Sequence, residues 1–241
     1  MIAVRDVHWF TFISATLAAI AAGAAAVAMA LEYGRSRRTH ALCWTISLAL
    51  FAVASAALAL GEGFGWTVWL YRIYYATGGV LTVPWMALGA VWLFGPLRLA
   101  RVGMWLTIAL TVVAVAISVL APIAVDGTTT LPELKEALGD ATTARALAII
   151  ANAGGTPVAI FLLLRASSTY RRKRVLPNKA SGAMIISAGI GIAALGGMLA
   201  AMSSVVYLAP SLAIGAVLML AGFRRWNRNP RASAKLAEVP T

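Results

Sequence analysis

Two opposite charges stand out against an apolar background. Glu62 and Arg72 are separated by the short Gly63-Phe64-Gly65 segment and flanked by Trp and Tyr. A charge in or near hydrocarbon is destabilising and usually faces a partner or a cavity. The two are therefore expected to form an ion pair that fastens neighbouring helix ends, with Arg72 snorkelling outward. In the functional reading, Arg72 anchors an anionic or carbonyl group entering from outside. Trp66, Trp69, Tyr71, Tyr74 and Tyr75 suit an interfacial aromatic belt. Tyr75 differs, because helical spacing puts it on one face with Arg72, Gly79 and Thr82. That face is the expected wall of any ligand cavity. In the second half of the chain, Asn152 and Thr156 lie four apart beside Gly154, Gly155 and Pro157. An interior proline leaves one carbonyl without its usual donor, and Asn or Thr can either satisfy it or offer a polar group to a ligand. Tyr207 is placed to close an outer pocket or to anchor at the interface.

Other chemistry finds no foothold. Cys43 with His40 lacks an accompanying acid or an oxyanion arrangement, so no catalytic residue is assigned. One cysteine and two histidines do not make a zinc or haem site, and no cofactor is implied. Buried carboxylates do not recur in a relay, and the last apolar span has no lysine for a retinal Schiff base.

The elements that must hold these residues are membrane helices. Of 241 residues, 61% are hydrophobic and 12% charged, whereas a soluble domain is about a quarter charged. A helix crossing the hydrocarbon needs about 20 apolar residues, and seven stretches qualify: 9–31, 41–60, 68–94, 103–121, 146–164, 180–202 and 205–223. The first is longer than a signal-peptide core and is read as a retained helix. The fold class is all-α, a single seven-helix polytopic domain over 1–223 with a basic cytoplasmic tail over 224–241. The net charge of +12 does not imply nucleic acid, since the basic residues fall in the connections: Arg35–Arg38, Arg98 and Arg101, Arg165–Lys179, and Arg224 onward. These all lie on one side, which the positive-inside rule assigns to the cytoplasm. The N-terminus is then outside and the C-terminus inside, in a bacterial-type cytoplasmic membrane. Thr130–Gly139 has a capping box and an apolar face, and predicts a short helix on the outer surface. The expected partners are the lipid bilayer, a small-molecule ligand, and a cytoplasmic or membrane protein.

An internal repeat organises the spans. Pro84-Trp-Met-Ala-Leu-Gly-Ala-Val91 aligns without gaps with Pro210-Ser-Leu-Ala-Ile-Gly-Ala-Val217, matching at Pro, Ala, Gly, Ala and Val. The reading is three helices (about 8–95), a linker helix (about 103–121), and three more in the same orientation (about 146–223). This three-plus-one-plus-three plan is similar to that of the sugar-efflux and PQ-loop transporters, although the chain has no Pro-Gln pair. It implies a site between the repeats. The segment Trp44–Phe94, with its Gly61-Glu62-Gly63 turn, Arg72, Tyr74 and Pro84-Trp85, resembles the seven-helix sensor region at the N-terminus of some bacterial histidine kinases. The expected function is binding or transport of a small, largely apolar or weakly polar molecule between the repeats, or membrane sensing as a regulatory subunit.

Overall fold

The computed structural model describes residues 9–121, 123, 125, 142–173, 177–202 and 207–227. The expected outer helix over 130–139, the reversal near Ser203 and the tail from Arg228 onward lie outside the described residues. Every regular element described is helical: α1 (Trp9–Ser36), α2 (Thr39–Phe64), α3 (Val68–Tyr74), a π-helix (Tyr75–Leu81), α4 (Thr82–Phe94), α5 (Leu97–Leu120), α6 (Thr142–Lys173), α7 (Pro177–Met202) and α8 (Leu208–Asn227). α3, the π-helix and α4 run on as one span. Seven helices are thus long and apolar enough to cross a bilayer. The chain is a multi-pass integral membrane protein, and its lipid-facing side chains, such as Trp105, Leu106, Ile149, Ile150 and Phe161, are accordingly apolar and exposed.

The helices run further at their basic ends than the apolar spans do. α8 continues through Arg224 and Arg225 to Asn227 and buries Trp226, so the tail begins later than the expected residue 224. A buried aromatic near the helix end extends the packed bundle beyond the last apolar run.

Six spans close a ring. α1 packs on α2, α2 on the third span, α4 on α6, α6 on α7, α7 on α8, and α8 back on α1. Exchanging α1 with α6, α2 with α7 and α4 with α8 maps this ring onto itself, as a parallel duplication requires. α5 sits outside, touching the third span and, more lightly, α6. The aligned octapeptides agree: Pro84 is the third residue of α4 and Pro210 the third of α8. The shared glycine also serves the same purpose in both halves. A side chain on Gly89 would run into the Trp44 ring of α2, and one on Gly215 would meet the Gly189 carbonyl oxygen of α7 at 2.8 Å.

Without a hydrophobic force between helices in lipid, close approach through small residues joins them. On α7, Gly182, Gly189 and Gly196 recur every seven residues and pack on Gly222, Gly215 and Ser211 of α8. Gly191 and Gly197 of the same helix do not belong to this seam: Gly191 has only an ordinary contact, and Gly197 has nothing within 4 Å.

At the basic end an aromatic group spans the bundle. Trp44 packs on Phe223 (ring centroids 5.2 Å apart) and on Trp226 (6.2 Å), and Trp226 meets Phe94 (6.3 Å) and Tyr170 (5.9 Å). Spans two, three, five and seven are joined there.

Gly189→Leu should destabilise the protein by about 1–3 kcal/mol through overpacking of the seam, while Gly197→Ala should stay within about 0.5 kcal/mol of wild type. Unfolding by SDS in mixed micelles, followed by circular dichroism, measures both. Equal midpoints for the two variants would mean that the seam does not join α7 to α8.

Candidate functional site

The third span carries the only π-helix among the described residues, and its sequence supplies the cause. In a regular α-helix the Pro84 ring would collide with the carbonyl four residues back, and it brings no N–H to the preceding turn. Gly78 and Gly79 sit in that turn and offer little resistance to a wider register. The Thr82 N–H then bonds to Thr77 O, five residues back. The Thr82 hydroxyl donates to the same oxygen at 2.8 Å, and the Thr77 hydroxyl donates to Ile73 O at 2.6 Å.

Neighbouring spans donate into this stretch. Asn152 Nδ2 on α6 reaches Gly79 O at 2.7 Å as well as its own Ala148 O at 2.8 Å. Ser47 Oγ on α2 donates to Thr82 O at 2.7 Å, and Trp44 Nε1 to Met86 O at 3.2 Å. The π segment also lies close against α2, since a side chain on Gly78 would meet Ala54 Cβ at 2.8 Å. On the other side Gly155 of α6 admits Val83. The irregular turn is therefore clasped between the first repeat and the second.

The outer corner lies just beyond it. α2 extends through Gly61, Glu62 and Gly63 to Phe64, so the expected turn at Gly61-Glu62-Gly63 is helix. The chain reverses instead at Gly65, whose φ of 103° is a conformation that favours glycine. Trp66 then folds back over Gly61, where any side chain would strike its ring. Its indole N–H donates to Glu62 Oε1 at 3.0 Å. Glu62 is only 1% exposed, a carboxylate enclosed at the end of a membrane helix.

Among the described residues, the expected Glu62–Arg72 ion pair is replaced by other contacts. The Arg72 guanidinium lies over the Trp69 ring, 4.9 Å from its centroid, and Nη2 donates to Ala121 O at the end of α5 at 3.4 Å. Its Nε is enclosed without a hydrogen-bond partner. The two charges thus have different surroundings, Glu62 against the Trp66 indole and Arg72 over Trp69 and against the end of α5.

The aromatic belt also needs correction. Trp69 is exposed as expected, but Trp66, Tyr71 and Tyr75 are buried and pack on one another. Tyr71 and Tyr75 stack at 6.3 Å, and Trp66 meets Tyr71 at 6.3 Å and Tyr74 at 5.6 Å. Nor do Arg72, Tyr75, Gly79 and Thr82 form an open wall. The π register breaks their α-helical spacing, and the Tyr75 ring itself covers Gly79. Thr156 is half-buried on α6, one turn from Asn152. Tyr207 is 58% exposed, which fits an interface anchor and does not close a pocket. Cys43 is buried and the His40 ring packs edge-on to Trp44 at 5.5 Å.

Sequence reasoning passed over Ser47, Ser55 and Trp44. With Glu62 they recur on one face of α2 at three-, seven- and eight-residue intervals, and polar residues repeating along one face of an apolar helix are the signal that was available.

Glu62→Leu leaves the buried Trp66 N–H without its acceptor and should destabilise by about 1–3 kcal/mol; Glu62→Gln keeps an acceptor oxygen and should lose less. Asn152→Leu should lose about 0.5–2 kcal/mol. Thermal unfolding in detergent tests this order, and a Gln variant as unstable as the Leu variant would show that the indole bond is not what Glu62 contributes. Compared with known protein families, with curated proteins and with solved structures, the chain matches none.

Proposed function

We propose that this protein binds a small, largely apolar or weakly polar molecule in the outer half of the bundle, between its two three-helix repeats, and carries it across the membrane. The observation that carries this reading is the π segment Tyr75–Leu81, clasped by Asn152 from the other repeat. Irregular backbone at membrane depth persists where it is enclosed by protein or lines a cavity, and π turns recur at functional sites. Transporters built from repeats place their sites at such a seam. The neighbouring groups suit a mostly apolar ligand with one polar handle. The packed rings of Trp66, Tyr71 and Tyr75 border this region, and Arg72 Nε is an enclosed donor suited to a carbonyl or anionic oxygen. At the basic end, the aromatic group from Trp44 to Trp226 closes the bundle, so entry is from the Arg72 side. By the positive-inside rule that side is outside, in the cytoplasmic membrane of a bacterial-type cell.

The sensor reading shares the same candidate site and differs in the step after binding. Its support is the basic end, where Arg35, Arg38, Arg165 and Arg224 give a cytoplasmic partner a surface.

The test is 19F NMR of protein labelled with 5-fluorotryptophan, with the Trp66 resonance assigned through Trp66→Phe. Titration with a panel of small, weakly polar aromatic and carbonyl compounds should give a saturable Trp66 shift. Asn152→Leu should weaken that binding about tenfold, equivalent to about 1.4 kcal/mol. No Trp66 shift with any compound, or identical titrations in the variant, would overturn the site. Flux of the bound compound into proteoliposomes supports transport; binding without flux supports sensing.

A further inference from the structure

A concave site lies at the opposite end of the bundle, independent of the outer corner. The ends of α6, α7 and α8 enclose a cleft of about 420 Å³ lined by Tyr170, Arg171, Pro177, Ala180, Ser181 and Arg225. Arg225 Nε donates to Ser181 Oγ, whose hydroxyl donates in turn to Pro177 O and Asn178 O. This bond fixes the Arg225 guanidinium at the rim and uses one of its five donors. Arg171 faces the same cleft from α6, and Lys179 stands beside it with Nζ 5.4 Å from the Trp226 ring centroid. Ser167 Oγ, bonded to Ala180 O at 2.9 Å, ties α6 to α7 under the cleft floor.

Among the described residues Arg171 and Arg225 form no salt bridge, the only carboxylates described being Glu32 near the end of α1 and Glu62 at the far end of the bundle. The two guanidinium groups of Arg171 and Arg225, at a hollow lined by both polar and apolar surface, suit a phosphate, which Arg binds through paired donors.

The surface below the cleft selects the source of that phosphate. Leu164 is seven residues before Arg171, Met184 three after Ser181 and Val217 eight before Arg225, so each continues its helix face toward the bilayer interior. All three are exposed. A hollow lined by two arginines and continuous with exposed apolar surface matches a headgroup joined to acyl chains, and basic pockets between membrane helices on the cytoplasmic side hold such headgroups.

We infer that the cleft between α6, α7 and α8 is a specific site for the phosphodiester headgroup of an anionic glycerophospholipid, held by Arg171 and Arg225, with acyl chains along Leu164, Met184 and Val217.

The full-length protein in a neutral detergent is titrated with dioctanoyl phosphatidylglycerol, dioctanoyl phosphatidylcholine and inorganic phosphate, and the bound lipid is counted by native mass spectrometry. The expected result is saturable binding of phosphatidylglycerol that weakens as salt rises. Arg171→Gln with Arg225→Gln should weaken it about tenfold or more, since each basic residue near an anionic headgroup contributes about 1 kcal/mol. Arg98→Gln with Arg101→Gln removes the same charge from the same end, away from the cleft, and should leave the affinity within about twofold. Circular dichroism and the thermal midpoint confirm that both variants are folded. Equal loss in the two double variants would mean diffuse charge attraction and overturn the site. So would equal binding of phosphatidylcholine, while competition by inorganic phosphate at the same concentration would overturn the lipid assignment.

Discussion

A backbone polar group inside hydrocarbon has no water to turn to, so each must be satisfied by the protein itself. The third span is where this constraint governs the molecule. Pro84 and the Gly78-Gly79 pair disturb its hydrogen-bond ladder, and side chains of two neighbouring spans supply donors to the altered stretch. Ser47 does so from α2, at Thr82 O, and Asn152 from α6, at Gly79 O, while Trp44 of α2 holds Met86 O just beyond the proline. The same bonds that make the irregular turn tolerable also fix how the third span sits between the two halves of the ring. Packing and polar satisfaction are thus a single arrangement here, and the outer corner inherits its geometry from it.

The two-fold relation of the repeats makes the departure from it informative. α4 and α8 correspond residue by residue from their prolines onward, and both use the following glycine to approach the preceding span closely. Before its proline the third span has a π turn and the seven residues of α3, while of the seventh span only Tyr207, Leu208 and Ala209 are described ahead of Pro210. That extended end of the third span carries the enclosed Arg72 and the stacked tyrosines, beside the buried Glu62 of α2.

Much of the architecture was legible because membrane helices are written in long apolar runs and in the placement of Arg and Lys. The octapeptide match picked out two spans that hold corresponding places in the ring, because small residues at fixed intervals are what close helix packing needs. The corner was less legible. Glu62 and Arg72 were identified as its charged members, but their partners depend on the direction in which Trp66 folds back after Gly65, which no local pattern specifies. The burial of Tyr71 and Tyr75 likewise depends on the π register, which shifts every side chain before it relative to those after it. Helical spacing counted across that turn places Arg72 and Thr82 on a face they do not share. Asn152 was recognised as a donor to a freed carbonyl, but the carbonyl proved to belong to another helix.

α5 stands outside the ring, mostly lipid-facing and tied to the third span through Trp85 Nε1, which donates to Thr111 Oγ1 at 3.3 Å. Its position has a consequence in terms of parity. A unit of three crossings ends on the opposite side of the membrane from where it began, so two such units joined directly would be inverted relative to each other. One additional crossing restores the parallel arrangement that the ring requires. α5 can thus contribute little to the core and still be indispensable: it allows a single polypeptide to hold what two separate three-helix chains could form only by meeting as a parallel dimer.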